Sequence, residues 1–153
     1  MNTLKKALPL GFIIAILLVW FFVYVNSKDV VKYGKISINE TPISVEIVEK
    51  EVDLMKGLGG KTELKEGEGM WFIFLKNSKI GIWMRDMKFS IDILWLDKNL
   101  KIVDIKENAS PESYPEVFYS RENSRYVLEV MAGFVQKHGV KIGDTAKISK
   151  VNF

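Results

Sequence analysis

The sequence contains no cysteine, one histidine and four prolines in 153 residues. Without cysteine there can be no disulfide, no thiolate metal site and no lipid-bearing cysteine anchor. A single histidine, His138, leaves no imidazole cluster for a metal. It lies in "QKHGVKIGD", near a helical C-terminus before glycine, where a capping interaction is the simplest expectation. No nucleophile or orienting acid adjoins it in the motif. Glycine-rich phosphate loops are missing too. Gly57, Gly59 and Gly60 follow no strand and precede no Gly-Lys-Ser/Thr. No metal and no cofactor is expected.

Net charge is also in short supply. The chain carries +3, but Lys5 and Lys6 account for two of the three charges. The residues after position 25 hold 20 basic and 19 acidic side chains. Such a balanced surface has no electrostatic footprint for nucleic acid.

One long stretch lacks charge altogether. Ala7 to Val25, "ALPLGFIIAILLVWFFVYV", is nineteen residues without a charged side chain. As a helix it spans roughly 28 Å, close to the hydrocarbon thickness of a bilayer. Pro9 and Gly11 fall in its first turns, and Trp20 and Tyr24 near its far end, as interfacial aromatics do. The run is longer than a signal-peptide core, and Val25-Asn26-Ser27 is a poor cleavage site. The expectation is a single-pass transmembrane anchor over residues 7–25, with secretion after signal cleavage as the alternative. Residues 1–6 would be cytoplasmic, residues 26–32 a linker, and residues 33–153 an extracytoplasmic β domain at the cell membrane.

Past the linker, period-two alternation dominates. "YGKISI" (33–38) and "ISVEIVEK" (43–50) flank "NETP" as a hairpin. Val52, Leu54, Met55 and Leu58 repeat at helical spacing until Gly59-Gly60 stops them. "MWFIFL" (70–75) is a continuous apolar run, as in a strand covered on both faces. "IGIWM" (80–84), "SIDILWL" (90–96) and "LKIVDIKE" (100–107) read as strands, the last two joined by the tight loop "DKN". "NASPESYPEVFYSRENS" (108–124) is a long polar loop, a length often tied to function. "RYVLEVM" (125–131) and "GDTAKISKV" (143–151) are further strands, with a helical turn in "AGFVQKHG". The fold class is mostly β: a single antiparallel barrel or sandwich of about eight strands, with one or two short helices, preceded by the transmembrane helix.

"GEGMWFIF", "IWMRDMKFSIDILWLD", "YVLEV-AG" and "IGD" occur in the order and spacing of a known family. Over residues 43 to 150 the chain resembles domain of unknown function 192. The resemblance implies a small, mostly β domain, often behind a secretion signal or anchor, and no particular reaction. The chain departs from the family pattern at several places. Gly59 stands for a methionine, Lys61 for an arginine and Arg85 for a lysine. Asp86-Met87 replaces Asn-Thr, Ser90 replaces a proline and Met131 an asparagine.

Charges buried in apolar strands mark the candidate site. Asp92 shares its strand face with Leu94 and Leu96, and Glu129 shares its face with Val127 and Met131. A carboxylate in such company needs a partner. Arg85 is the obvious cation in the motif, so a pair of Arg85 with Asp92 or Glu129 is expected. Trp83, Arg85, Asp86, Asp92 and Glu129 are then the candidate ligand-binding residues. Read structurally, the same charges form a buried ion pair that fixes strand register. As a metal ligand Asp86 is weak, having no acidic neighbour within three positions. Trp71, Trp83 and Trp95 read as core.

The leading functional reading is a non-enzymatic module that binds a small molecule, a glycan or an envelope protein. The rival is an envelope-associated glycan hydrolase with Asp92 and Glu129 as its acid/base pair. It requires the two carboxyls about 5–9 Å apart in an open groove.

Overall fold

A computed structural model describes residues 10–26 and 31–152. The chain divides into two units, residues 1–30 and 31–153. The first contains helix α1, Leu10–Asn26, whose side chains from Gly11 to Phe22 are exposed. Seventeen residues make about 25 Å of helix. Among the described residues no helix is both long and apolar enough to cross a membrane, so the expected transmembrane helix is not borne out there. Residues 1–6, residues 7–9 of the expected anchor and residues 27–30 of the expected linker lie outside the described residues.

The second unit is mostly β. Its elements are β1 (Lys32–Ile38), β2 (Thr41–Val48), α2 (Glu51–Lys56), β3 (Glu68–Ser78), β4 (Gly81–Trp83), β5 (Ile91–Leu96), β6 (Ile102–Ala109), a 3-10 turn (Pro111–Ser113), β7 (Val117–Tyr119), β8 (Ser124–Met131), α3 (Phe134–His138) and β9 (Lys147–Asn152). Seven strands form one sheet in the order β6-β5-β8-β3-β2-β1-β9, while β4 and β7 pair as a separate ribbon.

This corrects the expected antiparallel barrel or sandwich in two ways. First, β2 and β3 run parallel. Helix α2 and the loop after it carry the chain back to the end of the sheet where β2 began, as a parallel neighbour requires. Second, no closed barrel forms among the described residues. The outer strands β6 and β9 approach through a single isolated bridge, Lys101 with Thr145. Backbone hydrogen bonds join the same two segments, from Ile102 N to Asp144 O at 2.8 Å and from Ala146 N to Leu100 O at 2.9 Å. The sheet therefore curls until its edges touch without a continuous ladder between them.

Curling gives the sheet an inner and an outer face. Ile36, Ile43, Trp71, Leu94, Leu128 and Val130 belong to the inner cluster, together with Phe134 and Val135 of α3. Met70, Phe72, Ile91, Ile93, Trp95 and Val127 belong to the outer cluster, with Leu58, Ile82 and Met84 laid over them. Strand β5 is buried at all six positions because both of its faces are covered. "MWFIFL" sends Trp71 inward and Met70 and Phe72 outward, as its continuous apolar pattern predicts. Trp95 is fixed in the outer layer by a hydrogen bond from its indole N–H to Ile80 O at 3.0 Å.

Candidate functional site

Strand pairing decides where the two buried carboxylates point. Asp92 lies opposite Val130 and Ile93 opposite Glu129 in the β5–β8 ladder. Directly opposed residues share a face. Val130 is in the inner cluster and Ile93 in the outer one. Asp92 therefore faces inward and Glu129 outward, with the sheet between them. The expected acid/base pair is not assembled.

Asp92 is fully buried. Its Oδ1 accepts a hydrogen bond from Asn108 N at 2.9 Å, and its Oδ2 accepts one from Val135 N at 2.9 Å. Helix α3 begins at Gly133, which offers no side-chain cap. Asp92 supplies from a distant strand the acceptor that a helix N-terminus needs. Its partners are backbone amides, so its role is to pin α3 and the end of β6 to the sheet.

Arg85 meets neither carboxylate, which corrects the expected pairing. It lies in the turn after β4, where its guanidinium donates to Met55 O of α2 at 3.3 Å and stands 4.8 Å from the Trp83 ring centroid. Its ion-pair partner is the exposed Asp86, at 3.8 Å. The reason is positional: β4 belongs to the ribbon and carries Arg85 toward the C-terminal end of α2. Asp86 has a φ of 59°, a left-handed conformation that asparagine and aspartate tolerate better than other side chains. Gly60 N donates to Asp86 O at 2.9 Å. A Cβ on Gly59 would come within 2.8 Å of Lys56 O and 3.1 Å of Arg85 O. The Gly-Leu-Gly-Gly stretch and the Arg-Asp turn are thus packed backbone to backbone.

Glu129 is different. Its side chain lies on the floor of a cleft of about 400 Å³, between α2, the β4–β7 ribbon and the outer face of β3 and β8. The walls carry Phe72 and Phe74 from β3, Trp83 from β4, Tyr119 from β7, and Met55 and Lys56 from α2. Gly57, at a φ of 51°, brings the end of α2 down onto this floor. A Cβ there would lie 3.3 Å from the Phe72 ring and 3.9 Å from the Glu129 carboxyl. Glu129 is only 4% exposed, and among the described residues its carboxyl makes no hydrogen bond or ion pair; since no fully buried side-chain oxygen there lacks a partner, its small exposure is carboxyl edge opening into the cleft. Burial pushes its pKa up to about 8.

Two of the sequence-predicted site residues, Trp83 and Glu129, thus share the cleft. Arg85 stands behind Trp83, Asp86 is at the surface and Asp92 is on the other face. Trp83 is 38% exposed and is a wall of the cleft, whereas Trp71 and Trp95 are core as expected. Sequence reasoning missed Phe72, Phe74, Met55, Gly57 and Tyr119. One signal pointed the right way: the long polar loop 108–124 contains β7, which contributes Val117 and Tyr119. Asp104 anchors the end of that loop. It accepts from Arg121 N at 2.7 Å and from the Arg121 side chain at 2.6 and 2.9 Å. Burial alone would raise the Asp104 carboxyl, but these bonds and one from Ile105 N hold it below its ordinary value.

His138 ends α3, followed by Gly139 in the left-handed conformation. Its Nδ1 is 3.3 Å from Thr41 Oγ1 and its ring packs on Phe134. Among the described residues no group of three or more metal-ligating side chains occurs.

Solved structures share this fold. A candidate transcription regulator from Sinorhizobium meliloti 1021 is 28% identical with a TM-score of 0.73, over 78% of this chain and 97% of that one. A protein of unknown function from Novosphingobium aromaticivorans DSM 12444 is 23% identical with a TM-score of 0.72, over 79% of this chain and 89% of that one. No curated protein matches the chain. A family model described as uncharacterized ACR matches residues 34–148, so the chain belongs to the DUF192 family, in accord with the motifs of its β5 and β8 strands.

Proposed function

We propose that the β domain is a non-enzymatic ligand-binding module whose site is the outer-face cleft. The observation that carries this reading is Glu129: a nearly buried carboxyl that opens into the cleft instead of meeting a protein partner, at the base of an apolar cleft of ligand size. A partnerless buried carboxyl is costly to stability, and a bound ligand that completes its hydrogen bonds offsets the cost. Among the described residues no serine, threonine, cysteine or histidine lines the cleft, so it holds no Ser–His or Cys–His type of activated nucleophile. The glycan-hydrolase reading loses its basis, because Asp92 and Glu129 face opposite sides of the sheet.

A second reading has support of its own. Met55, Trp83 and Tyr119 are exposed where they border the cleft, so an apolar side chain of an envelope protein could be the group that docks there. The regulator description of the Sinorhizobium relative does not extend readily to this chain. Helices α2 and α3 have only six and five residues, too short for a groove-reading helix, and the charge balance is even.

The proposed setting is the outer side of a membrane, with residues 7–25 as the anchor. The support is sequence alone: nineteen uncharged residues behind Lys5 and Lys6. Carbonate extraction of membranes followed by protease protection tests it. Release of a shortened chain into the medium would instead favour signal cleavage.

The binding reading is tested by a thermal-shift screen of small molecules on the full chain and on Met55→Trp. Met55 is half exposed on α2, so a larger ring there narrows the cleft without disturbing the core. Ligands that stabilise the parent and not the variant are expected. Ligands that stabilise both equally would place binding elsewhere.

A further inference from the structure

The chemistry of the cleft narrows the class of ligand. Four aromatic side chains, Phe72, Phe74, Trp83 and Tyr119, line it around a single deep carboxyl. Phe72 and Phe74 are stacked, with ring centroids 6.4 Å apart. Trp83 already attracts a cation, since Arg85 sits over its ring. Yet neither Lys56, which also lines the cleft, nor Arg85, over the Trp83 ring, pairs with Glu129. Arg85 is committed to Met55 O and Asp86. Aromatic rings and a carboxylate favour the same group, a compact positive charge carried on an apolar body.

We propose that the cleft takes an organic amine, with its ammonium group against the Glu129 carboxylate and its apolar part among the aromatic walls. This rests on the reading of the cleft as a ligand site. The ligand supplies the counter-charge that the fold withholds from Glu129. An anionic ligand would meet two carboxyls, Glu129 and Glu51, against the single cation Lys56 on the lining. A neutral ligand would gain nothing from ionising the carboxyl.

The groups that face Glu129 from the packed elements are Glu51 and Lys56 of α2 and Tyr119 of β7, with Arg85 behind Trp83. Ammonium binding must expel the Glu129 proton, and affinity rises with pH up to the value near 8 at which the free carboxyl ionises.

The probe is 2-phenylethylammonium, compared with 2-phenylethanol and phenylacetate, titrated calorimetrically into the full chain at pH 6, 7 and 8. Amide shifts of Gly57 and Gly81 locate the binding. The expected result is binding of the ammonium probe that moves both glycines and tightens about tenfold per pH unit. Glu129→Gln abolishes the pH dependence and weakens binding at pH 8 at least tenfold. Trp83→Ala, at an exposed position that leaves the core intact, also weakens it. If the alcohol binds as well as the ammonium and Glu129→Gln changes nothing, the amine class is overturned while the cleft remains a ligand site. If none of the three moves the glycines, the amine class is equally overturned, and the Met55→Trp screen with neutral ligands judges the cleft on its own.

Discussion

Glu129→Gln is expected to flatten the pH dependence of stability across the neutral range. The ordinary carboxyl value is 4.5 and burial in the folded protein raises it to about 8. Below pH 4.5 the group is protonated in both the folded and unfolded chain and contributes no slope. Between the two values the unfolded chain has lost the proton and the folded chain holds it. Unfolding then becomes easier by up to about 1.4 kcal/mol per pH unit. Above pH 8 both states are ionised and the loss levels off, at about 5 kcal/mol in total. From pH 5 to pH 7 the parent is thus expected to lose about 2.5 kcal/mol that the glutamine variant keeps. Urea denaturation at constant ionic strength, in half-unit steps from pH 5 to 8, measures this. Parent minus variant is the informative quantity, since Asp104 and Asp144 titrate in both proteins and cancel. A difference that stays level across the range would refute the claim that Glu129 is a desolvated, partnerless acid.

Three further outcomes follow from the geometry. Asp92→Ala leaves the buried Val135 N and the part-buried Asn108 N without an acceptor, for a loss of about 2–4 kcal/mol in chemical denaturation; a loss under about 1 kcal/mol would contradict its bridging role. Gly69→Ala places a Cβ 2.8 Å from Glu129 O and 3.3 Å from Ile43 and Leu128, so β3 and β8 must separate; about 2 kcal/mol of destabilisation is expected, and a neutral effect would show that the ladder yields freely. Arg85→Met changes stability by less than about 1 kcal/mol, because the arginine is half exposed and its ion pair lies at the surface; a larger fall in melting temperature would mean that Arg85 carries α2.

Most strands were legible because alternation reports which residues share a face. The parity of "SIDILWL" separates Asp92 from Ile93, and that of "RYVLEVM" separates Glu129 from Leu128 and Val130, as the structure has them. Parity does not say which face of one strand adjoins which face of another. For that reason the opposition of Asp92 and Glu129 was hidden until the pairing of Ile93 with Glu129 was known. The parallel β2–β3 contact was hidden for a related reason, since period two carries no information on neighbours or direction. Strand β7 went unnoticed because three residues, "VFY", are too few for a pattern. The cleft is assembled from α2, β3, the ribbon and β8, so no local window contains it. Gly69 and Gly59 explain themselves only in three dimensions, through the carbonyls that a side chain would strike.

The pairing of β1 with β9 has a consequence for the order in which the domain matures. Tyr33 lies opposite Asn152 and Gly34 opposite Val151, so the first and last strands of the sheet zip together. Strand β1 can form its hairpin with β2 early, but its other edge stays bare until about 110 further residues have been synthesised. During that interval the inner apolar layer, to which Ile36 and Ile38 belong, lacks Ala146 and the strand that follows it. A nascent chain halted before β9 would present an unpaired strand edge beside apolar surface, the features that recruit holdase chaperones and invite aggregation. Completion of this domain is therefore a late event, timed by its last strand.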